Sequence, residues 1–376
     1  MKKPIIPRVL LAAGMEKTDV FYATGLDTPD PFVLVKAGAR LHLVVSALEA
    51  SRAKRVCPKA ILHTPGELFA GEPGGARRSY ADQIRAVLER LGATGITVGS
   101  WFPHGVAEAL RAGGIVVSLD PAPPFPGRAI KTPREIAFIA KTQRAAVAAM
   151  RRAIAVLREA EIRSDGRLQW NGRLLTSERV KAEIERTLLA RGCSAEGPIV
   201  ASGSQGARPH DTGSGPLRAH SPIVIDIFPR DQRTGYWGDL TRTVVRGRAT
   251  PEVRRMYRAV RAAQALALSM VRPGVESRAV QHAVEQFFTD EGYPTRLSPP
   301  GRESGFIHSV GHGIGLDIHE NPGLRNEPGR LRAGNVVTVE PGLYQPGLGG
   351  VRIEDTVVVT PDGCRILASL ARTLEI

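Results

Sequence analysis

Four acidic residues lie at the ends of short β-rich runs, where their carboxylates could act together. Asp226 ends an apolar run that begins at Ile223, and Asp239, 13 residues later (239 − 226), opens a run that ends at Val245. Two β-rich runs joined by a polar loop predict a β-hairpin, and the turn composition of residues 229–235 places the loop there. We therefore expect the two carboxylates to lie side by side.

The same pattern returns near the end of the chain. Glu340 follows the β-rich run 336–339, and Glu354 comes 14 residues later (354 − 340), at the start of a run that ends at Val358. This echo predicts an internal repeat in which four acids converge from two hairpins. Four carboxylates cannot all remain ionised in one place unless multivalent cations neutralise them, so a metal site is the leading hypothesis.

A cluster of histidines precedes the second predicted hairpin. His308, His312 and His319 are three of the nine histidines of the chain, and they fall within twelve residues. Histidine is the commonest neutral metal ligand and a proton shuttle near neutral pH. The zinc-protease motif is excluded, because Ser309 stands where a glutamate is needed and three glycines in residues 311–315 oppose a helix. The cluster indicates function rather than packing.

Helix signals place these residues in two similar halves. Thr132-Pro133 and Thr250-Pro251 combine an N-cap with a proline at the first helical position, and they are 118 residues apart (250 − 132). Each begins a long predicted helix, which a shorter one follows near residues 177–191 and 277–291, and then a hairpin. The pattern predicts two α-α-β halves around a pseudo-twofold axis, where the carboxylates would meet.

The domain boundaries follow from composition. Residues 1–120 alternate short strands and helices, which predicts a small α/β domain without a catalytic cluster. Residues 121–131 are predicted to be a linker, because their prolines oppose both helix and sheet. Residues 132–376 then form the domain that carries the acids and histidines.

Composition excludes several classes of protein. The 376 residues are 42% hydrophobic and 23% charged, which is ordinary for a globular protein. Without an apolar run of the length a bilayer needs, no membrane association is expected. The net charge of +14 invites a nucleic-acid hypothesis, yet the arginines are scattered and form no recognisable motif, so no nucleic-acid partner is expected. Three widely spaced cysteines argue against a disulfide framework and favour a reducing, cytoplasmic setting.

The five chemically suited residues resemble, in type, order and context, the ligands of the pita-bread metallopeptidases. They are Asp226, Asp239, His312, Glu340 and Glu354, accompanied by the sequences GHGIGLDIHE and VRIED. Within that family the chain is similar to the Xaa-Pro aminopeptidase and prolidase branch. The resemblance implies an α+β pita-bread C-terminal catalytic domain with pseudo-twofold α-α-β halves, preceded by a small α/β creatinase-like N-terminal domain.

The resemblance also implies how the ligands divide between two divalent metal ions. Asp239 and Glu354 would bridge both ions, Asp226 would chelate one, and His312 with Glu340 would complete the other. Hard carboxylate oxygens with one imidazole suit Mn²⁺ or Co²⁺, with Zn²⁺ or iron possible. Two such ions would lower the pKa of a water molecule and polarise the scissile carbonyl.

Four residues resemble the groups that act on substrate in this family. Glu340 corresponds to the general base and proton shuttle, and His210 and His319 to histidines that hold the substrate carbonyl. His308 corresponds to a histidine on the proline side of the site. Arg352 lies two residues before Glu354, so it could hold either a metal-bound carboxylate or a substrate carboxylate.

The predicted activity is hydrolysis of the bond between an N-terminal residue and proline, in dipeptides or longer peptides. A methionine-type aminopeptidase is disfavoured by His308 and the N-terminal domain, and a metal-free binding module by the five intact ligands. A slight preference for dipeptides follows if Arg352, or Arg230 and Arg233 of the first hairpin loop, binds a free carboxylate. That loop is about two residues longer than is usual in the family, which affects the rim of the site. Tyr236 and Trp237 beside it are expected to pack the hairpin. The resemblance further implies a homodimer.

Overall fold

The structure, a computed structural model, describes residues 6–71 and 78–376 and has two units, Met1–Arg128 and Ala129–Ile376. We call them the N-terminal unit and the catalytic unit. The division falls at the end of the proline-rich stretch that was predicted to be a linker. Within the described ranges, no helix combines the length and the apolar character needed to cross a bilayer.

The N-terminal unit is built on one six-stranded sheet, in the order β4-β3-β2-β1-β5-β6. Its strands are β1 (Arg8–Leu11), β2 (Val33–Ala37), β3 (Arg40–Val44), β4 (Ile61–His63), β5 (Gly95–Val98) and β6 (Val116–Leu119). Its helices are α1 (Lys17–Thr24), α2 (Ala47–Val56), α3 (Pro65–Leu68), α4 (Tyr80–Leu91) and α5 (His104–Ala112). Strands β1, β2 and β3 pair antiparallel, whereas the outer pairs are parallel.

Successive apolar side chains of the central strands point to opposite faces of this sheet, so a buried core lies on each face. Val9 packs into one buried cluster, and the next residue, Leu10, packs into the other. A strand presents successive side chains to opposite faces, so a continuous apolar run is expected where both faces are covered. Helix α4 begins with a capping box of Ser79 and Asp82 and ends at Gly92, which has a positive φ of 62°.

Four helices of the catalytic unit confirm the predicted repeat. They are α6 (Pro133–Glu159), α7 (Ser177–Leu189), α8 (Pro251–Met270) and α9 (Ser277–Asp290). The hydroxyl oxygen of Thr132 accepts the N–H of Glu135, and that of Thr250 accepts the N–H of Val253, so both Thr-Pro signals cap the helices they predict. Each half packs its two helices against its own strands over a separate buried cluster.

The strands of the catalytic unit form small sheets. In the first half they are β7 (Glu161–Ile162), β8 (Leu168–Trp170), β9 (Arg173–Leu174), β10 (Cys193–Ala195), β11 (Ile199–Ser202), β12 (Ile223–Ile227), β13 (Pro229–Asp231) and β14 (Leu240–Val244). In the second half they are β15 (Gly311–Gly313), β16 (Glu320–Leu324), β17 (Val336–Val339), β18 (Gly342–Gln345), β19 (Gly349–Arg352), β20 (Asp355–Val359) and β21 (Cys364–Ile366). Strands β12 and β14 pair antiparallel, as do β17 and β20.

The connections within the two hairpins differ from the prediction. Residues 229–235 are not all loop, because β13 pairs with β10 and only the last four residues turn the chain. Asp231 stabilises this arrangement: its Oδ1 accepts the N–H of Thr234 at 2.8 Å, and its Oδ2 lies 2.5 Å from Lys141 Nζ. In the second half, β18 and β19 form an additional antiparallel pair between Glu340 and Glu354. Turn composition describes local preference and does not reveal a strand partner far away in sequence.

Candidate metal centre and active site

All nine residues singled out by sequence line one cavity of about 640 Å³ in the catalytic unit, which we call the site cavity. Asp226 and Asp239 reach it from the first hairpin, and Glu340 and Glu354 from the second. His312 reaches it from the centre of β15. The predicted convergence of the two hairpins therefore takes place, although their acids are more than 100 residues apart in the chain.

The two hairpins are held together by hydrogen bonds from their backbone and from two threonine hydroxyls. The N–H of Glu354 donates to Thr241 O at 3.1 Å, and the hydroxyl of Thr356 donates to Asp239 O at 2.9 Å. The Thr241 hydroxyl donates to Glu354 Oε2 at 2.8 Å. Each hairpin thus fixes an acid of the other, which explains why both halves are needed to form the site.

Helix α6 fixes Asp239 by a second route. The Gln143 side chain, which is buried, donates to Asp239 O at 2.6 Å and accepts the Asp239 N–H at 2.8 Å. A Cβ on Gly238 would lie 2.9 Å from Gln143 N, so only glycine lets the helix approach this closely. The backbone of Asp239 is therefore held in place by protein contacts alone.

The ligand atoms are close enough to share cations. Atoms of Asp239, His312 and Glu354 lie within 4.8 Å of one another. His312 Nε2 is 3.4 Å from both Asp239 Oδ2 and Glu340 Oε1. The other ring nitrogen of His312, Nδ1, is 3.2 Å from Gly313 O, a carbonyl that can only accept, so Nε2 is left with its lone pair towards the acids.

The burial and mutual repulsion of these acids favour a bound cation. Burial raises the pKa of the Asp239 and Glu354 carboxyls well above the ordinary value, and neighbouring carboxylates raise both further. Burial likewise raises the pKa of Glu340. Asp226 Oδ1 and Glu354 Oε1 are buried and have no hydrogen-bond donor in the described structure. Divalent cations would satisfy both oxygens and the surplus negative charge, so the residues present fit a carboxylate-rich metal centre.

The Arg352 guanidinium is already paired with protein groups of the candidate metal centre. Its Nη2 donates to Asp226 Oδ2 at 2.7 Å, and its Nη1 donates to the Tyr344 hydroxyl at 2.8 Å. The side chain is 4% exposed. Of the two roles left open by the sequence, this geometry fits the one in which Arg352 holds the carboxylate of a candidate metal ligand, Asp226.

A series of hydrogen bonds connects Arg352 to His308 through Tyr344, a residue that sequence reasoning missed. The Tyr344 hydroxyl is 2.8 Å from His308 Nε2, while His308 Nδ1 is 2.8 Å from Ser309 O. Since that carbonyl can only accept, Nδ1 carries the proton and Nε2 accepts from Tyr344. Burial, with the nearby guanidinium, lowers the pKa of His308 to about 3, and burial raises the pKa of Tyr344 to about 12. Nothing in the sequence around Tyr344 indicated that it belongs to these hydrogen bonds.

The remaining histidines occupy the open side of the site cavity. The His319 ring packs edge-on against the His312 ring, with centroids 4.3 Å apart. Burial, with the nearby His312, lowers the pKa of His319 to about 4, so its ring is neutral at physiological pH. His210 is exposed and lines the same cavity. Both rings are placed where they could donate to a substrate oxygen.

The rim of the site cavity differs from two expectations about the first hairpin, one about its arginines and one about Trp237. Arg230 donates from Nε to Gly235 O, and neither it nor Arg233 lines the site cavity. The lining cation besides Arg352 is Arg325, which sequence reasoning missed. Trp237 also lines the cavity, whereas Tyr236 packs as expected and donates to Glu135.

Comparison with known proteins agrees with this site. Residues 137–361 match Metallopeptidase family M24. The Xaa-Pro dipeptidase of Pyrococcus horikoshii is 29% identical over 382 residues, covering 100% of this chain and 96% of that protein. The Xaa-Pro dipeptidase of Pyrococcus furiosus is 34% identical over 253 residues, 66% of this chain and 65% of that protein. The solved prolidase of Pyrococcus horikoshii has a TM-score of 0.80 and 26% identity, covering 99% of this chain and 96% of that one.

These similarities confirm the predicted pita-bread fold and the branch whose members the sequence resembles. The family match falls within the catalytic unit and includes all nine residues that were singled out. The chain belongs to metallopeptidase family M24.

Proposed function

We propose that this protein is a two-ion metallopeptidase that hydrolyses the bond between an N-terminal residue and proline. The observation that carries the proposal is the convergence of four carboxylates and one imidazole in a single cavity that also holds two neutral histidines. Its relatives named above are Xaa-Pro dipeptidases and a prolidase. The peptide bond before proline is the substrate that accounts for both observations.

The metal ions, when bound, would activate a water molecule and polarise the scissile carbonyl. Glu340 takes the proton of the attacking water, because its raised pKa lets the carboxyl hold a proton. It then returns that proton to the proline nitrogen as the bond breaks. His319, which is neutral, and His210 donate to the carbonyl oxygen as charge develops there. Arg352 holds the Asp226 carboxylate in place through a charge-assisted hydrogen bond from its Nη2.

Proline specificity has a physical basis in the leaving group. The proline nitrogen carries no N–H, so a site for ordinary peptides loses a donor it would bind. A site for proline must hold the ring by shape, which the edge of His308, fixed by Tyr344 and Ser309, can provide. We expect Ala-Pro to be hydrolysed with Mn²⁺ or Co²⁺, and Ala-Ala and Met-Ala to be poor substrates.

A comparison of kcat/KM for these three dipeptides tests the proposal. Faster hydrolysis of Met-Ala than of Ala-Pro would instead favour a methionine-type aminopeptidase. No hydrolysis of any of them by a chain that carries two ions would favour a binding module. Elemental analysis of the same sample distinguishes that result from simple loss of metal.

Dipeptides are the preferred substrates in our proposal, and Arg325 binds their free carboxylate. The Arg325 stem folds over Gly323, where a Cβ would lie 3.3 Å from its Cδ. Its Nε is 2.9 Å from Glu327 Oε2, which orients the guanidinium on the wall of the site cavity. Arginine is well suited to carboxylates because its N–H groups match the two oxygens.

Arg325→Met should therefore lower kcat/KM for Ala-Pro by about 10- to 100-fold, the range for one hydrogen bond to a charged group. The same variant should hydrolyse the amide of Ala-Pro as the parent protein does, since the amide carries no charge. Arg230→Met is the matched control, because it removes a nearby cation that does not line the cavity. An equal loss on both substrates would contradict the carboxylate role.

Further features belong to the same proposal. Mn²⁺ is the expected ion, with Co²⁺ or Zn²⁺ as alternatives, because oxygen donors dominate the site. A homodimer is supported by Val116 and Leu119, which are 65% and 66% exposed on β6, an edge strand of the N-terminal unit. A cytoplasmic location is supported by three free cysteines.

A further inference from the structure

A buried ion pair joins the segment before helix α6 to the histidine-bearing loop. Lys131 Nζ lies 2.6 Å from Glu320 Oε1, and the two side chains are 1% and 8% exposed. Although Lys131 falls in the predicted linker, its backbone N–H donates to Gly334 O at 2.8 Å, so it belongs to the packed structure. Removing one partner of such a pair leaves an uncompensated buried charge, which is costly.

Glu320 closes the loop that begins at His312. Its Oε2 accepts the N–H of Asp317 at 3.3 Å, and the N–H of Gly315 donates to Asp317 O at 3.0 Å. The carboxylate rests against Gly315, where a Cβ would lie 2.5 Å from Glu320 Oε1. Gly313 is the partner of Glu320 between β15 and β16. In the sequence GHGIGLDIHE, Gly315 therefore makes room for the Glu320 carboxylate and Gly313 for the Glu320 backbone carbonyl.

His319 lies between the two held points of this loop. The turn at Asp317 precedes it, and Glu320 follows it directly. Its ring is perpendicular to that of His312 and lines the site cavity, whereas Lys131 is not among the lining residues. A shift of Glu320 would therefore move His319 without removing any atom of the site.

We propose that Lys131 is a positioning residue for catalysis, which fixes the loop that carries His319 through its buried ion pair with Glu320. The proposal rests on the proposed function, in which His319 donates to the substrate carbonyl. Misplacement of such a donor affects the transition state more than the ground state, so it lowers kcat rather than raising KM.

Lys131→Met keeps most of the stem and removes the charge. We expect it to retain two ions per chain by elemental analysis, to leave KM for Ala-Pro unchanged, and to lower kcat by about 10- to 100-fold. Lys131→Arg, which restores a cation, should recover much of the loss. The matched control is Arg152→Met, which breaks a partly buried pair with Glu183 on helices α6 and α7, away from the cavity, and should keep kcat.

Binding of two Ala-Pro analogues gives a readout that does not depend on turnover. A phosphinic analogue places a tetrahedral phosphorus with two oxygens at the position of the reacting carbonyl. A reduced analogue has a methylene group instead of that carbonyl. By calorimetry, Lys131→Met should weaken the first by about 10- to 100-fold and leave the second unchanged. Equal weakening of both, or of neither, would overturn the positioning role.

A double-variant cycle separates this proposal from the proposed function. In a His319→Ala background, Lys131→Met should cause no further loss of kcat, because the residue it positions is gone. If the losses of kcat caused by the two substitutions were fully additive, the inference would be overturned. Normal kcat in His319→Ala alone would remove the His319 assignment and the inference with it. If Lys131→Met does not fold, Lys131→Met/Glu320→Gln leaves no unpaired buried charge and should show the same loss.

Discussion

Asp239→Asn is expected to leave fewer than two divalent ions on each chain and to lower turnover by about 10³-fold or more. Each ion supplies several kcal/mol of transition-state stabilisation, and every 1.4 kcal/mol or so corresponds to a factor of ten. Asparagine keeps the volume, and the two hydrogen bonds from Gln143 involve only the backbone of residue 239, so the fold should survive. Elemental analysis and kcat for Ala-Pro measure the two effects.

Asp231→Asn is the matched control for this variant. Asp231 belongs to the same hairpin and is buried to a similar degree, yet it pairs with Lys141 and does not line the site cavity. The control should retain two ions and normal turnover, although its melting temperature will fall. Two retained ions with near-normal turnover in Asp239→Asn would show that this carboxylate does not bridge the ions.

Removal of the metal ions should abolish hydrolysis and destabilise the catalytic unit. A ligand at about 1,000 times its Kd stabilises the folded state by about 4 kcal/mol, and each kcal/mol shifts the melting temperature by about 2–4 °C in a unit of this size. Chelation should therefore lower the melting temperature by about 10 °C or more. Re-addition of Mn²⁺ should restore both melting temperature and turnover, whereas Mg²⁺ serves as the control.

The destabilisation should grow with pH. In the chelated protein, burial holds the pKa of Asp239, Glu340 and Glu354 above the ordinary values of 3.8, 4.5 and 4.5. As pH rises above those values, the unfolded chain loses these protons first, so the folded state binds more protons and becomes less stable. Calorimetry between pH 5 and 8 should show a falling melting temperature for the chelated protein, and a shallower fall for Glu354→Gln. A constant or rising value would contradict the assignment.

Local sequence signals were sufficient for much of this fold. Thr132-Pro133 and Thr250-Pro251 mark helix starts because an N-cap and a proline act within one turn. The candidate ligand acids could be proposed because a carboxylate at the end of a β-rich run is costly unless something compensates it. Both kinds of signal depend on neighbours in the sequence.

Long-range partners could not be predicted in the same way. Arg352 was left open between two roles until the structure placed it beside Asp226, 126 residues away in the chain. Asp231 looked like part of a turn, yet its strand pairs with Cys193–Ala195. Lys131 looked like part of a linker because neighbouring prolines dominate the local composition, whereas its partner Glu320 lies in the other half. Such contacts are decided by the packing of the whole unit.

The reciprocal hydrogen bonds between the two hairpins limit how this protein can evolve. Thr241 of the first half holds Glu354 of the second, and Arg352 of the second holds Asp226 of the first. A substitution at Thr241 or Arg352 removes a hydrogen bond to an acid of the other half, more than 100 residues away in the chain. We therefore expect the two halves to change together at these positions, even where their surfaces differ.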